Sequence, residues 1–148
     1  MVFDSRAIAI AADHRGYWLK HDLMEYFEQF GYEFEDFGTE NDCFSVDYPD
    51  YARKVTDYIT AHPNAFGILI CHTGVGMSIA ANRIRGIRAV LCYDEEIAKL
   101  SREHNNANVI CLGSGFIYSE VAIKCINTFM NTEFDERHQF RLNKIDTE

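Results

Sequence analysis

Cys71 is the side chain that the sequence places in the most reactive setting. It ends the apolar run Phe66–Cys71, which has the length and bulk of a buried strand, and a turn with two glycines, Thr73–Gly76, follows it. The alanine-rich stretch that starts near Met77 then predicts a helix. Free N–H groups in the first turn of a helix bind anions, and a cysteine beside them can ionise to its thiolate. We therefore predict one loop that combines a proton acceptor with a site for a phosphate or an oxyanion.

This loop differs from three better-known loops. No Lys-Ser or Lys-Thr pair follows Gly76, as a Walker loop requires, and Ile79 stands where a dinucleotide fingerprint has its third glycine. A Cys-dependent phosphatase loop has an arginine at the position of Met77. The spacing alone also allows a second interpretation, in which Cys71 is an inert buried thiol and the glycines serve only a tight turn.

The composition limits the classes of protein to which the chain can belong. Its 148 residues predict one domain, residues 1–148, and a hydrophobic share of 47% argues against disorder. The net charge of −9 argues against a nucleic-acid partner, so any phosphate must be bound locally. No apolar stretch approaches the roughly 20 residues that cross a bilayer, and the start MVFDSRAIAIAAD lacks a signal-peptide pattern. We expect a cytoplasmic protein with no membrane partner.

The cysteines indicate reduced thiols. Their number is odd and no CxxC pair occurs, which argues against disulfide bridges and against a zinc site. They are Cys43, Cys71, Cys92, Cys111 and Cys125. No other spacing of histidines and carboxylates forms a recognisable ligand motif, so neither a metal nor a cofactor is expected.

Five apolar segments alternate with helical patterns along the chain. The strands are predicted at Ala7–Ala12, Tyr32–Phe37, Phe66–Cys71, Ile87–Tyr93 and Asn108–Leu112. Pro49 suits the first turn of the second helix, and Asp94 is expected to cap the fourth. The pattern predicts a three-layer α/β/α fold in which helices cover both faces of a five-stranded parallel sheet. Residues Phe134–Glu148 are expected to form a C-terminal helical tail.

In a parallel sheet of this kind, ligands bind outside the C-terminal ends of the strands. This rule predicts one crevice that contains Asp13 and His14, Cys71 with its loop, and Asn105 or its neighbours. Imidazoles that share a crevice with a thiol suit acid–base chemistry on a neutral substrate, because imidazole exchanges protons near neutral pH. The histidines expected there are His14, His72 and His104.

The tail carries a basic stripe. Arg137, Arg141 and Lys144 fall at i, i+4 and i+7 of the predicted helix, which would place them on one face where they could bind an anion. Taken alone, the stripe is also typical of a solvated helix face whose charges pair with Asp135 or Asp146.

Several segments together resemble one enzyme family. AADHRG, DYPDYA, GILICHTGVGMSIAANRIRGIRAVLC, SREHNNANVICLG and ERHQFRLNKI are similar, in order and spacing, to the ribose-5-phosphate isomerase B family, which includes galactose-6-phosphate isomerase subunits. The resemblance covers almost the whole chain. It implies metal-free interconversion of ribose 5-phosphate and ribulose 5-phosphate in the non-oxidative pentose phosphate pathway. It also implies a Rossmann-like homodimer, sometimes a tetramer, with shared active sites.

The resemblance also implies a role for each motif residue. Cys71 matches the proton-abstracting base and Thr73 the hydroxyl beside it. His104 matches the residue that opens the furanose ring, while Asp13 and Asn105 match contacts to sugar oxygens.

Further residues match family positions that bind the negatively charged groups of the substrate. The resemblance implies that the hole for the enediolate is formed by Gly74, Val75, Gly76, Met77 and Ser78. His14, Arg137 and Arg141 match phosphate contacts, some of them from the neighbouring subunit, and Tyr48 and His72 are expected to contact the substrate.

Two positions depart from the family pattern. His72 replaces the glycine that usually follows the catalytic cysteine, so either the loop accepts a side chain there or the imidazole points at Cys71. Gly115 replaces an arginine that helps to bind phosphate. We expect a raised Michaelis constant unless another cation, such as Arg15 or Lys144, compensates.

Two alternatives accompany this interpretation. The substrate could be a six-carbon sugar phosphate, such as allose 6-phosphate or galactose 6-phosphate. The chain could instead be a non-catalytic module that binds a sugar phosphate. Replacement of Cys71 separates them, because a binding module keeps its ligand whereas an isomerase stops turning over.

Overall fold

The computed structural model describes residues 8–147, which form a five-stranded, fully parallel sheet. Its strands are β1 (Ile8–Ala12), β2 (Phe34–Asp36), β3 (Phe66–Cys71), β4 (Ala89–Leu91) and β5 (Val109–Gly113). The strand order is β2-β1-β3-β5-β4. The edge strands β2 and β4 span only three residues each and are shorter than the sequence predicts. Ala7, the first residue of the first predicted strand, lies outside the described residues.

Helices cover both faces of the sheet and confirm the predicted three-layer architecture. They are α1 (Tyr17–Glu28), α2 (Tyr48–Ala61), α3 (Val75–Asn82), α4 (Glu95–Asn105), α5 (Ser119–Asn131) and α6 (Gln139–Leu142). Side chains of α1, α4 and α5 pack on one face of the sheet, and those of α2 and α3 pack on the other. Within residues 8–147, no helix has the length and apolarity needed to cross a membrane.

Local sequence explains where two of these helices begin. Pro49 stands in the first turn of α2, where its missing N–H has no helical partner to lose. Asp94 caps α4 through its carboxylate, which accepts a hydrogen bond from the amide of Ile97 at 2.9 Å. Both positions agree with the prediction from sequence.

The C-terminal tail is helical over a shorter range than expected. A 3₁₀ turn at Glu136–His138 leads into α6, and residues 143–147 are not helical. The predicted helical tail is confirmed, but it is not one continuous helix, so Arg137, Arg141 and Lys144 do not lie along a single helix face. The tail begins with a 3₁₀ turn because Asp135 caps that turn and pairs with Arg137 at 2.7 Å.

Arg102 holds the junction between α4 and β5. Its guanidinium is buried, and Nη1 donates to the carbonyl of Ala107 and to the side chain of Asn106, both at 2.7 Å. Burial and the nearby charge of Arg88 lower the pKa of Arg102 to about 10. The junction needs this support because Asn106 adopts a left-handed conformation with φ of 47°. Arg102 thus fixes the end of α4, where His104 lies.

Replacing Arg102 by methionine tests this junction. Arg102→Met leaves the buried carbonyl of Ala107 without this donor, so we expect the free energy of unfolding to fall by about 2–3 kcal/mol. Urea denaturation measures the change. Lys99→Met on the same helix is the control, because Lys99 is half-exposed and pairs only with Glu103, and its loss is expected to cost less than about 0.5 kcal/mol. Equal losses in the two variants would contradict this role of Arg102.

Candidate active site

Cys71 lies at the C-terminal end of β3, where its thiol meets the turn that follows. The side chain is only 5% exposed, and Sγ accepts a hydrogen bond from the amide of Gly74 at 3.2 Å. Gly74 has φ of 82°, a left-handed conformation that glycine adopts without strain. An amide hydrogen bond and the nearby helix N-terminus both stabilise a thiolate more than a thiol.

The first turn of α3 presents two free amides beside this thiol. The amide of Val75 donates to Thr73 Oγ1 at 3.1 Å, and the amide of Ser78 donates to the carbonyl of Gly74 at 3.0 Å. Among residues 8–147, no acceptor reaches the amides of Gly76 and Met77. These two N–H groups point out of the N-terminus of α3 and can bind an anion.

Close packing holds this turn in place. A Cβ atom at Gly113 would stand 2.4 Å from the carbonyl oxygen of Thr73, so the end of β5 and the turn touch backbone to backbone. On the other side, a Cβ atom at Gly76 would stand 2.6 Å from the ring of Tyr48, which therefore covers the first turn of α3. The hydroxyl of Tyr93 also donates to the carbonyl of Thr73.

The end of β1 contributes Asp13 and His14 to the same edge of the sheet. Asp13 is buried, and its Oδ1 accepts hydrogen bonds from the amides of Arg15 and Gly16 at 2.9 and 3.1 Å. His14 Nδ1 accepts a hydrogen bond from the amide of Val46 at 3.1 Å. In the neutral ring the proton is then on Nε2, which is left as a donor.

His72 lies beside this turn without facing the thiol. Its ring covers Gly115 and meets the ring of Phe116 edge-on, with 5.5 Å between centroids. Of the two orientations that the sequence left open, the structure therefore favours a loop that accepts the side chain.

A second cluster of functional groups surrounds His104. Its ring contacts the ring of His138 with 4.7 Å between centroids, and His138 Nδ1 lies 2.7 Å from Arg141 Nη1. Arg137 is largely exposed and pairs with Asp135 at 2.7 Å. The cluster therefore brings together the tail cations and the histidine at the end of α4.

Sequence reasoning missed His138 as a member of this cluster. Arginine only donates hydrogen bonds, so Nδ1 of His138 must accept from Arg141 and the proton of the neutral ring lies on Nε2. That Nε2 is buried and has no hydrogen-bond partner among residues 8–147. Burial and the charges of Arg137, His104 and Arg141 lower the pKa of His138, which favours the neutral ring. Its position between the two arginines of the segment ERHQFR is the signal that could have revealed it.

The cluster around Cys71 lies at the C-terminal ends of the strands, and the cluster around His104 lies at their N-terminal ends. Cys71 is in register with Gly113 at the end of β5, whereas His104 and Asn105 end α4, before β5 begins at Val109. The length of β5 separates the clusters by roughly 15 Å. The prediction that Asn105 and its neighbours share a crevice with Cys71 is therefore wrong for a single chain. The physical reason is that these residues precede a strand, and the rule for ligand sites concerns loops that follow strands.

The parallel sheet, its strand order and the thiol beside a helix N-terminus define a Rossmann-like α/β protein with a cysteine at the C-terminal end of a central strand. The family model described as Ribose/Galactose Isomerase matches residues 8–145 of this chain. The chain belongs to this family, and the resemblance inferred from the sequence motifs is confirmed.

Individual relatives match over nearly their whole length. Ribose-5-phosphate isomerase B of Escherichia coli K12 is 40% identical over 141 residues, which cover 95% of this chain and 94% of that protein. A crystal structure of a ribose 5-phosphate isomerase from Thermotoga maritima has a TM-score of 0.92 at 50% identity and covers 95% of this chain and 97% of that one. The Mycoplasma genitalium ribose-5-phosphate isomerase B structure with bound ribulose-5-phosphate has a TM-score of 0.90 at 40% identity, with coverage of 95% and 94%.

Two substitutions of Asp13 test the contribution of its carboxylate to the stability of the fold. Asp13→Ala leaves the buried amide of Gly16 without its carboxylate partner, so we expect the free energy of unfolding to fall by about 1–3 kcal/mol. Asp13→Asn keeps an oxygen acceptor at the same place and is expected to remain close to the unchanged protein. Chemical denaturation of both variants makes the comparison. A loss of stability in Asp13→Asn as large as in Asp13→Ala would contradict the assigned contacts.

Proposed function

We propose that this protein interconverts ribose 5-phosphate and ribulose 5-phosphate without a metal ion. The observation that carries the proposal is the Cys71 thiol next to the free amides of Gly76 and Met77, which together supply a base and a hole for an enediolate. Relatives named ribose-5-phosphate isomerase B, one of them with bound ribulose-5-phosphate, support this choice of substrate.

The chemistry begins with a ring-opening step. A proton moves between O1 and the ring oxygen, and the imidazole of His104 relays it. The thiolate of Cys71 then removes the C2 proton of the open aldose, and the electron pair moves onto the carbonyl oxygen at C1. The hydroxyl proton of O2 then moves to O1, the thiol returns its proton to C1, and the electron pair left on O2 forms the C2 carbonyl of the ketose. Thr73 Oγ1 accepts from the amide of Val75, so its own proton is free for a substrate oxygen during this exchange.

The free amides act where negative charge develops. The enediolate oxygen forms only after proton removal, and N–H groups fixed in the first turn of α3 need no reorganisation to meet it. Loss of one such donor typically costs about 3 kcal/mol of transition-state stabilisation. The ring of Tyr48 covers this turn and keeps it in place.

A complete site requires two chains in this proposal. The base and the amides lie at the C-terminal ends of the strands, while His104, Arg137 and Arg141 lie at the N-terminal ends. A two-fold dimer brings one edge of each chain against the other edge of its partner, which makes two equal sites.

Exposed apolar side chains support an association of this kind. Val75 and Ile79 are 41% and 53% exposed on one face of α3, and Phe140 and Ile145 in the tail are 56% and 53% exposed. The proposed state is a homodimer with shared active sites, and a tetramer built from such dimers keeps the same sites. All five cysteines are free, as a cytoplasmic location favours.

An assay without metal tests the reaction. In EDTA we expect turnover of ribose 5-phosphate by the unchanged protein, and Cys71→Ala is expected to lower kcat by about 10²–10⁴-fold because the base is lost. Cys43→Ala, at an exposed thiol, is the matched control and is expected to keep full activity.

Allose 6-phosphate is the second substrate in this assay. Faster turnover of allose 6-phosphate than of the pentose would favour the six-carbon alternative. Absence of turnover with both sugars, together with retained binding, would indicate a sugar-phosphate-binding module.

Mixing two inactive variants tests the shared site. Cys71→Ala and His104→Asn each disable both sites of their own dimer, but a mixed dimer keeps one intact site that combines Cys71 of one chain with His104 of the other. After denaturation and refolding of an equal mixture, we expect about a quarter of the starting activity. Each variant refolded alone is the control. If the mixture stays as inactive as its components, the two residues do not meet across a subunit interface.

A further inference from the structure

His72 and Gly115 oppose each other at the C-terminal edge of the sheet. The amide of Gly115 donates to the carbonyl of His72 at 3.0 Å, which fixes the distance between the two backbones. A Cβ atom at Gly115 would stand 2.3 Å from Cε1 of the imidazole and 2.7 Å from its Nδ1. Real Cβ atoms do not come so close to other atoms, so the ring of His72 occupies the volume that a side chain at residue 115 would need.

The imidazole projects away from the reacting thiol. Cys71 packs against the side of the sheet that α2 and α3 cover, and its Sγ faces the amide of Gly74. His72 is the first residue of the turn after β3. Its ring lies against Gly115 and Phe116, in the loop between β5 and α5. By the family resemblance, this is the position at which an arginine side chain of residue 115 would help to bind phosphate.

The ring nitrogens of His72 are free to bind a ligand. The side chain is exposed, and among residues 8–147 neither ring nitrogen has a hydrogen bond or an ion pair with the protein. The same loop is tied to the segment that follows β1, because Ser114 Oγ donates to the backbone carbonyl of the exposed Arg15 at 2.8 Å. An imidazole N–H in such surroundings suits an anionic group.

We propose that His72 binds the phosphate of the sugar phosphate, and that residue 115 is a glycine because the imidazole fills its side-chain volume. The proposal rests on the proposed function, since that function supplies the phosphate. The two residues then act as one unit, in which the turn after β3, rather than the loop after β5, provides the donor to the anion.

Two substitutions of His72 separate the donor from the volume of the ring. His72→Phe keeps a ring over Gly115 but has no N–H, and His72→Gly removes both. In each we expect the KM for ribose 5-phosphate and the inhibition constant of inorganic phosphate to rise about tenfold, with kcat changed less than about threefold. Unchanged constants in His72→Phe would overturn the proposal, and so would a fall in kcat at constant KM.

A double-variant cycle tests the link between the two residues. Gly115→Ala alone is expected to displace the imidazole and so to raise the inhibition constant of phosphate, whereas in the His72→Gly background the same change is expected to have no further effect. Gly115→Arg in the His72→Gly background adds a guanidinium in the vacated volume and is expected to restore phosphate inhibition to within about threefold. Equal effects of Gly115→Ala in both backgrounds would overturn the steric link.

Calorimetric titration with inorganic phosphate distinguishes failure of this proposal from failure of the proposed function. If the unchanged protein binds phosphate but does not isomerise the sugar, the proposed function fails while the role of His72 is still measured by the loss of phosphate binding in His72→Phe. If isomerisation is normal and phosphate binding is equal in both proteins, only the role of His72 fails.

Discussion

The backbone contact between the turn after β3 and the end of β5 is the constraint on which the site depends. Gly113 leaves no room for a side chain against Thr73, so the turn rests directly on the neighbouring strand. That contact fixes the direction of the first turn of α3 and hence of the amides of Gly76 and Met77. A wider residue at this point would move the amides away from Cys71, and the thiol would lose its anion-stabilising surroundings.

Close packing also links His72 and Gly115, the two residues that depart from the family pattern. His72 and Gly115 are distant in sequence, yet the ring of His72 lies where a side chain at residue 115 would be. In the proposal they therefore act together. The sequence suggested Arg15 or Lys144 as cations that could compensate for Gly115, and the proposal adds the imidazole of His72 to them.

The sequence predicts most of the fold because its signals are local. Apolar runs mark the central strands, Pro49 and Asp94 mark helix starts, and glycines mark the turn after Cys71. The tail is predicted less well, because a capping contact from Asp135 competes with helix propensity. The position of His104 relative to Cys71 follows from the order of elements, because a loop that precedes a strand lies at its N-terminal end, and the prediction applied the rule for loops that follow strands. His138 was missed because its contacts with His104 and Arg141 arise only in the folded tail.

The separation of the two clusters by the full length of β5 links catalysis to assembly. In the proposed dimer, a substrate molecule contacts both chains and acts as a reversible cross-link between them. Substrate binding and subunit association are then coupled equilibria, and each must strengthen the other by the same factor. On dilution, activity would be lost by dissociation while each chain remains folded. The abundance of the protein relative to its dimer dissociation constant would thereby set its activity in the cell.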